Sequence, residues 1–205
     1  MVRFYIYLEV YLDDLQKKIS LSEFEKHFKI PHQTMKKYLA GFVKAKILKE
    51  EKQARFLYYK LQLDNPLTKE YLLICEKERL LDFLEKNTLF SRLYSELARF
   101  FQDSKILLFG SCIRRADFSD IDMLIMSRNV RFLEHPKVPN KRKDFLISKN
   151  KSIKQALKKF EETYSIKIHT IQTSEKDLTK TFINEIRQKH IILNNHDYLM
   201  EVLYK

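Results

Sequence analysis

Apolar positions over residues 4–19 fall at Phe4, Leu8, Tyr11, Leu12, Leu15 and Ile19, the spacing of one helix face. Ser20 and Ser22 follow as N-cap residues for a short second helix over 22–28. Lys29-Ile30 reads as a tight turn. Pro31 then suits the first turn of a third helix, 31–44, where its missing N–H does no harm. That helix buries Met35, Leu39, Phe42 and Val43 and shows His32, Gln33, Lys36 and Lys37 on its other side. Two strand-like runs come next, 45–49 and 55–62, with the polar 50–53 between them as the turn. Phe56, Leu57, Tyr58 and Tyr59 favour strand in the second run.

The pattern then changes. Pro66 breaks the chain, Thr68 can cap, and Leu72, Leu73, Leu80, Leu81, Phe83 and Leu84 give a connecting helix over 66–87 its apolar side. Residues 86–88 read as a break and 91–102 as another amphipathic helix. The runs 106–109 and 123–126 are short and continuously apolar, as buried strands are. Between them lie Gly110-Ser111, a helical turn, and Ser119-Asp120-Ile121-Asp122. Beyond 128 the chain reads as a loop marked by Pro136, Pro139 and Asn140, then a helix over 152–164 and a strand over 166–171. A segment 173–178, a helix over 182–189, an apolar run over 190–195 and a closing helix to Tyr204 complete it.

Three helices followed by a hairpin outline a winged helix-turn-helix, and residues 1–62 resemble that family in pattern and spacing, without a signature residue. The resemblance implies that helix 31–44 enters a DNA major groove. Gln33, Lys36 and Lys37 would be the readers, with Arg55 or Lys52 of the wing on phosphate. A solvated face used for protein contacts fits the same residues, and both readings stand open here.

The chemistry concentrates in 105–126. A glycine ending a strand directly before a serine lets backbone N–H groups approach a phosphate. Asp120 and Asp122, two apart at the start of a strand, project to one side. Two carboxylates side by side repel unless a cation sits between them, and oxygen ligands of this kind suit Mg²⁺ carrying substrate phosphates. This stretch resembles the nucleotidyltransferase fold of the DNA polymerase beta superfamily, and most of all its minimal members from archaea and bacteria. The match is Gly110, Ser111, Asp120 and Asp122, and the resemblance covers 88–205. The expected architecture is therefore α+β: a winged helix-turn-helix over 1–65, a connecting helix over 66–87, and a mixed sheet with flanking helices over 88–205.

The resemblance implies that Gly110, Ser111 and Arg114 hold the phosphates of a nucleoside triphosphate and that Asp120 and Asp122 bind Mg²⁺ and carry catalysis. An acceptor hydroxyl on a protein or an RNA would take a nucleoside monophosphate, most often AMP. Minimal relatives often act as antitoxins that modify a toxin-like partner. Two features depart from the family. Its third carboxylate aligns with His169, or less well Lys167, and neither is an acid; Asp144, Glu161 and Glu162 are the nearby candidates to replace it. The loop also has Arg115 where glycine is common. His169 thus reads as a metal ligand, a hydrogen-bonded core histidine, or a mark of lost activity. Two functions remain: a transferase with DNA-binding capacity, or a DNA-binding transcriptional regulator whose degenerate transferase domain binds nucleotide or a partner.

Composition narrows this frame. Of 205 residues, 44% are hydrophobic and 32% charged, which excludes a disordered chain, and two Gly and four Pro exclude linker-rich architecture. Cys75 and Cys112 cannot form a disulfide scaffold, so a reducing, cytoplasmic setting is expected, and no membrane segment or signal peptide is read. Cys112 is expected to pack rather than react. The net charge of +12 points to nucleic acid, nucleotide or another polyanion. It divides as +5 over 1–65, −1 over 66–104 and +8 over 105–205. Residues 128–159 alone carry +9, which fits either a polyanion surface or a solvated helix face. Exposed Tyr and Phe leave a dimer open.

Overall fold

The computed structural model describes residues 4–54, 56–113, 115, 117–127 and 140–204. It is a mixed α+β protein with two separate sheets. The chain divides into two compact units between Glu78 and Arg79, inside the helix that spans the expected connecting segment 66–87.

The first unit opens with a 3-10 segment, Phe4–Tyr11, in place of the helix expected over 4–19. Asp14 is part of the reason that helix does not continue: its Oδ1 accepts from the Gln16 N–H at 2.9 Å, a local turn that competes with helical bonding. Ile19 then belongs to a two-residue strand, β1 (Ile19–Ser20). Ser20 caps α1 (Leu21–Phe28). Its hydroxyl accepts from the Glu23 N–H, and Glu23 Oε2 accepts from the Ser20 N–H at 2.7 Å, a reciprocal capping box. Lys29 closes α1 in the left-handed region, φ 54°. Helix α2 (His32–Lys44) follows Pro31, whose carbonyl accepts from Thr34 and Met35. Met35, Leu39 and Phe42 join Leu8, Tyr11, Leu12 and Phe24 in the core, where the Tyr11 hydroxyl donates to the Tyr59 carbonyl at 2.9 Å.

Strands β2 (Leu48–Gln53) and β3 (Phe56–Leu61) pair from Leu48↔Leu61 to Gln53↔Phe56. Residues 50–53 are therefore strand, not turn, and Ala54 at φ 51° begins the reversal. Their polarity misleads because β2 is an edge strand, in the order β1-β3-β2. Pairing supplies its partners, and its outward side chains are free to be charged. Helix α3 (Pro66–Lys86) is capped by Asn65, whose Oδ1 accepts from the Leu67 N–H at 3.0 Å. The Thr68 hydroxyl, expected to cap, instead donates to the Gln62 carbonyl at 2.7 Å.

In the second unit Asn87 separates α3 from α4 (Thr88–Leu97), and β4 (Ser104–Phe109) and β5 (Asp120–Ser127) follow. Helix α5 (Asn140–Tyr164) lies between β5 and β6 (Lys167–Thr173); it includes Asn140, expected in a loop, and position 144. Helix α6 (Lys180–Gln188), β7 (His190–Ile192) and α7 (His196–Tyr204) complete the unit. The sheet order is β6-β5-β4-β7, with β5 and β6 parallel and the other pairs antiparallel. A parallel pair needs a long crossover, and α5 lies within it.

One sheet face carries Ile106, Leu108, Ile121, Met123, Ile125 and Ile168. It packs with Phe90, Leu93 and Leu97 of α4 and Ile153, Leu157 and Phe160 of α5. On the other face Phe109 meets Phe182 of α6 edge-on, ring centroids 5.7 Å apart. Asn194 extends the short β7 along β4 with its side chain. Its Oδ1 accepts from the Ile106 N–H at 2.7 Å, and its Nδ2 donates to the carbonyls of Ser104 (2.6 Å) and Phe101 (2.9 Å). Among the described residues no helix is long and apolar enough to cross a membrane.

Candidate functional site

The site grows from the end of β4. Phe109 pairs with Asp122 across the antiparallel ladder, so the next residue, Gly110, comes down beside Asp122. Gly110 has φ +82°, and a Cβ there would collide with Asp122 Oδ2 and lie 3.3 Å from Cγ. The positive φ favours glycine here, and a side chain would also have to push the Asp122 carboxylate aside. Ser111 begins a 3-10 turn, Ser111–Ile113, and its carbonyl accepts from the Arg115 N–H at 3.1 Å. Cys112 is buried, its thiol donates to the Phe109 carbonyl at 3.2 Å, and burial pushes its pKa up to about 11. Such a thiol packs and does not react.

Alternation along β5 puts Asp120 and Asp122 on one face while Ile121 enters the core. Parallel β6 brings His169 opposite Asp122 and Lys167 opposite Asp120. His169 Nδ1 lies 3.2 Å from Asp120 Oδ2 and 3.6 Å from Asp122 Oδ1. Asp120, Asp122 and His169 each offer a ligand atom, all within 4.8 Å of one another. Ser119 Oγ donates to Asp120 Oδ1 at 3.1 Å. The Asp122 carboxyl is held above its ordinary range, first by burial and then by the charge of Asp120; His169 opposes this, and Glu185 adds to it. A cation would relieve that repulsion.

Two of the three acids considered as replacements for a third carboxylate have other partners. Glu161 Oε1 accepts from the Ile168 N–H at 2.7 Å, and Glu162 pairs with Lys158 at 3.9 Å. The side chain of Asp144 lies outside the described residues, as does Arg114.

A cavity of about 290 Å³ opens beside the Gly110 turn, lined by Phe109, Gly110, Ser111, Arg115, Glu185 and Lys189. That is near the small end of ligand pockets, roughly 300 Å³, and suits phosphates better than a whole nucleotide. Arg115 and Lys189 supply two cations. Lys189 is brought there by β7, whose His190 pairs with Phe109 and so sets Lys189 against Gly110. Nothing in the sequence pattern singled out Lys189 or Glu185; the antiparallel β4–β7 register brings Lys189 there, and α6 brings Glu185.

In the first unit Gln33, Lys36 and Lys37 are all exposed on α2, and Lys52 is exposed on β2. Arg55 lies outside the described residues. His32 Nδ1 is 2.6 Å from Glu25 Oε1, which ties that ring to α1. Of the basic stretch 128–159, residues 128–139 are likewise not described, while Lys151, Lys154, Lys158 and Lys159 are exposed along α5.

No protein-family model matches the chain, and no curated protein matches it. Among solved structures it is similar to the adhesin competence repressor AdcR of Streptococcus pyogenes, at 16% identity and a TM-score of 0.33. That match covers 50% of this chain and 80% of the other. The likeness is too slight to assign a role.

Proposed function

We propose that the protein is a DNA-binding regulator of the winged helix-turn-helix type. Its second unit, resembling a nucleotidyltransferase, binds a divalent cation and the phosphates of a nucleotide. The observation that carries this reading is the division of α2. Met35, Leu39 and Phe42 are buried, while Gln33, Lys36 and Lys37 stand exposed together. The helix is the second of a helix–turn–helix pair and is followed by a hairpin. A helix so divided can lie in a major groove, with lysines on phosphate or guanine and Gln33 on an adenine edge. Lys52 sits on the hairpin, where a wing reaches the flanking backbone.

In the second unit, Asp120 and Asp122 would hold the cation, and Arg115 and Lys189 would receive phosphate oxygens in the adjoining cavity. A bound divalent cation neutralises phosphate charge and fixes its orientation. Gly110 lets the backbone approach that charge without a side chain in the way.

Fluorescence anisotropy with random and genomic duplex DNA tests the main reading. Wild type should bind with a steep salt dependence. Lys36→Glu/Lys37→Glu should lose most affinity and shed roughly 0.9 of log–log slope for each phosphate contact removed. Equal binding by both proteins refutes it.

A second reading is favoured by one observation: Gly110 and Asp122 are in contact beside Ser111 and Asp120, the whole motif assembled in one place. An acceptor oxygen would attack the α-phosphorus of a nucleoside triphosphate. The new O–P bond would form as the bond to pyrophosphate broke, the acceptor proton passing to solvent or a base. His169 across from Asp122, where the family's third acid is expected, weakens this reading. Pyrophosphate release from any NTP that Asp120→Asn/Asp122→Asn abolishes would establish transfer. Its absence with all four NTPs leaves the regulator.

A further inference from the structure

We infer that His169 Nδ1 is the third protein ligand of the Asp120–Asp122 cation site, and that this donor set selects a first-row transition ion such as Mn²⁺, Co²⁺ or Zn²⁺ over Mg²⁺. The inference rests on the proposal that the two aspartates bind a cation, and names the missing donor and the class of metal.

The geometry comes from the sheet. Neighbouring strands run about 4.8 Å apart, and the in-register pair Asp122↔His169 therefore lets the two side chains converge above one sheet face. Ligands about 2.0–2.2 Å from a common ion, at tetrahedral or octahedral angles, lie roughly 3.0–3.5 Å from one another. The 3.2 Å separation from Nδ1 to Asp120 falls within that spacing, and the 3.6 Å separation to Asp122 lies just outside it. The histidine side chain is 59% exposed, so it is not a core residue satisfied by packing, yet its ring turns toward both acids. That excludes the buried-histidine interpretation left open by the sequence.

The chemistry of the donors then sets the metal. Mg²⁺ takes oxygen ligands in near-ideal octahedra and keeps its waters; an imidazole nitrogen in its shell is a poor exchange. Imidazole favours the later first-row ions, and two carboxylates beside it leave positions open for water or phosphate oxygen. A carboxylate at position 169 would make an all-oxygen site suited to Mg²⁺. Histidine there moves the preference along the series.

Calorimetric titration of the full chain with MgCl2, MnCl2 and ZnCl2, together with pulsed EPR of the Mn²⁺-loaded protein, tests this. Wild type should bind Mn²⁺ and Zn²⁺ at least about tenfold more tightly than Mg²⁺ and show nitrogen modulation in the Mn²⁺ spectrum. His169→Ala should lose the modulation and narrow the preference, and His169→Asp, an all-oxygen set, should narrow it as well without nitrogen coupling. The exposure of position 169 keeps both variants folded, which circular dichroism checks. If His169→Ala leaves the metal ratio unchanged, or the wild-type spectrum lacks nitrogen coupling, His169 is not a ligand, although the two-aspartate site stands. If no ion binds wild type, or binding is indifferent to Asp120→Asn/Asp122→Asn, the cation site itself falls.

Discussion

Replacing Gly110 with alanine puts the site's construction under direct load. At φ +82° an L-residue is strained, at a cost of roughly 1–2 kcal/mol. The new methyl must also displace the Asp122 carboxylate, whose Oδ2 it would overlap. A flexible carboxylate can swing aside, so this adds on the order of 1 kcal/mol rather than a full core overpacking penalty. The expected destabilisation is about 2–3 kcal/mol. With a urea m-value of about 1–3 kcal/mol/M, the midpoint should fall by roughly 1 M. Urea titrations followed by circular dichroism read that shift, and divalent-cation binding should weaken in the same protein because Asp122 has moved. The chain provides its own control. Gly41 lies in α2, and a methyl added there would meet nothing within 4 Å, so Gly41→Ala should stabilise by about 0.5–1 kcal/mol. A Gly110→Ala protein with wild-type midpoint and wild-type cation affinity would refute the account of this turn.

Further expectations follow from features outside that turn. Asn194→Ala strands the Ile106 N–H and removes a donor from the Ser104 carbonyl, while the Phe101 carbonyl keeps its bond from Asn195 Nδ2 at 3.1 Å; at about 1–3 kcal/mol for each of the two groups and about 2–4 °C per kcal/mol, the melting temperature should drop by at least about 4 °C. Ser20→Ala removes a capping box and should cost about 1 kcal/mol by chemical denaturation. The folded state raises the Asp122 carboxyl, so it binds more protons than the unfolded chain through the carboxylate range, and stability falls as pH rises through it. Asp122→Asn should therefore raise the melting temperature of the metal-free protein at neutral pH, the gain vanishing once acid protonates the carboxyl in both states. Glu23 has the opposite sign. Hydrogen bonds from the Ser20 side chain and backbone lower its pKa, so its contribution is present above the ordinary Glu range and is lost as pH falls through the folded value. Glu23→Gln should flatten that acid limb.

The parts legible in the sequence were those written in residue type and period. Met35, Leu39 and Phe42 mark the inner face of α2 by spacing, and the alternation Asp120-Ile121-Asp122 puts both carboxylates on one face of β5 with Ile121 in the core. What escaped depends on partners far away in the chain. The polar residues 50–53 are strand because β3 pairs with each of them, which no local period reports. Strand β1 is two residues long and hides behind an apolar position counted into a helix. Asn194 behaves as a rung of the sheet, and an asparagine among apolar residues otherwise looks like a turn. Lys189 enters the cavity only through the β4–β7 register.

The parallel pairing of β5 with β6 has a consequence for how the molecule comes into being. Strands β4 and β5 form an antiparallel pair from chain close in sequence, so Asp120 and Asp122 stand side by side early in synthesis. His169 arrives only after the whole crossover, 128–166, has left the ribosome and α5 has docked. Until then β5 is an open edge that another nascent chain could capture, and the two carboxylates have no imidazole beside them. Closure of that long loop is the slow kind of step in folding. Maturation of the cluster thus reports the docking of β6 on β5, ahead of β7, and a ribosome-stalled chain ending before residue 167 should be prone to aggregation and lack the imidazole beside its two carboxylates.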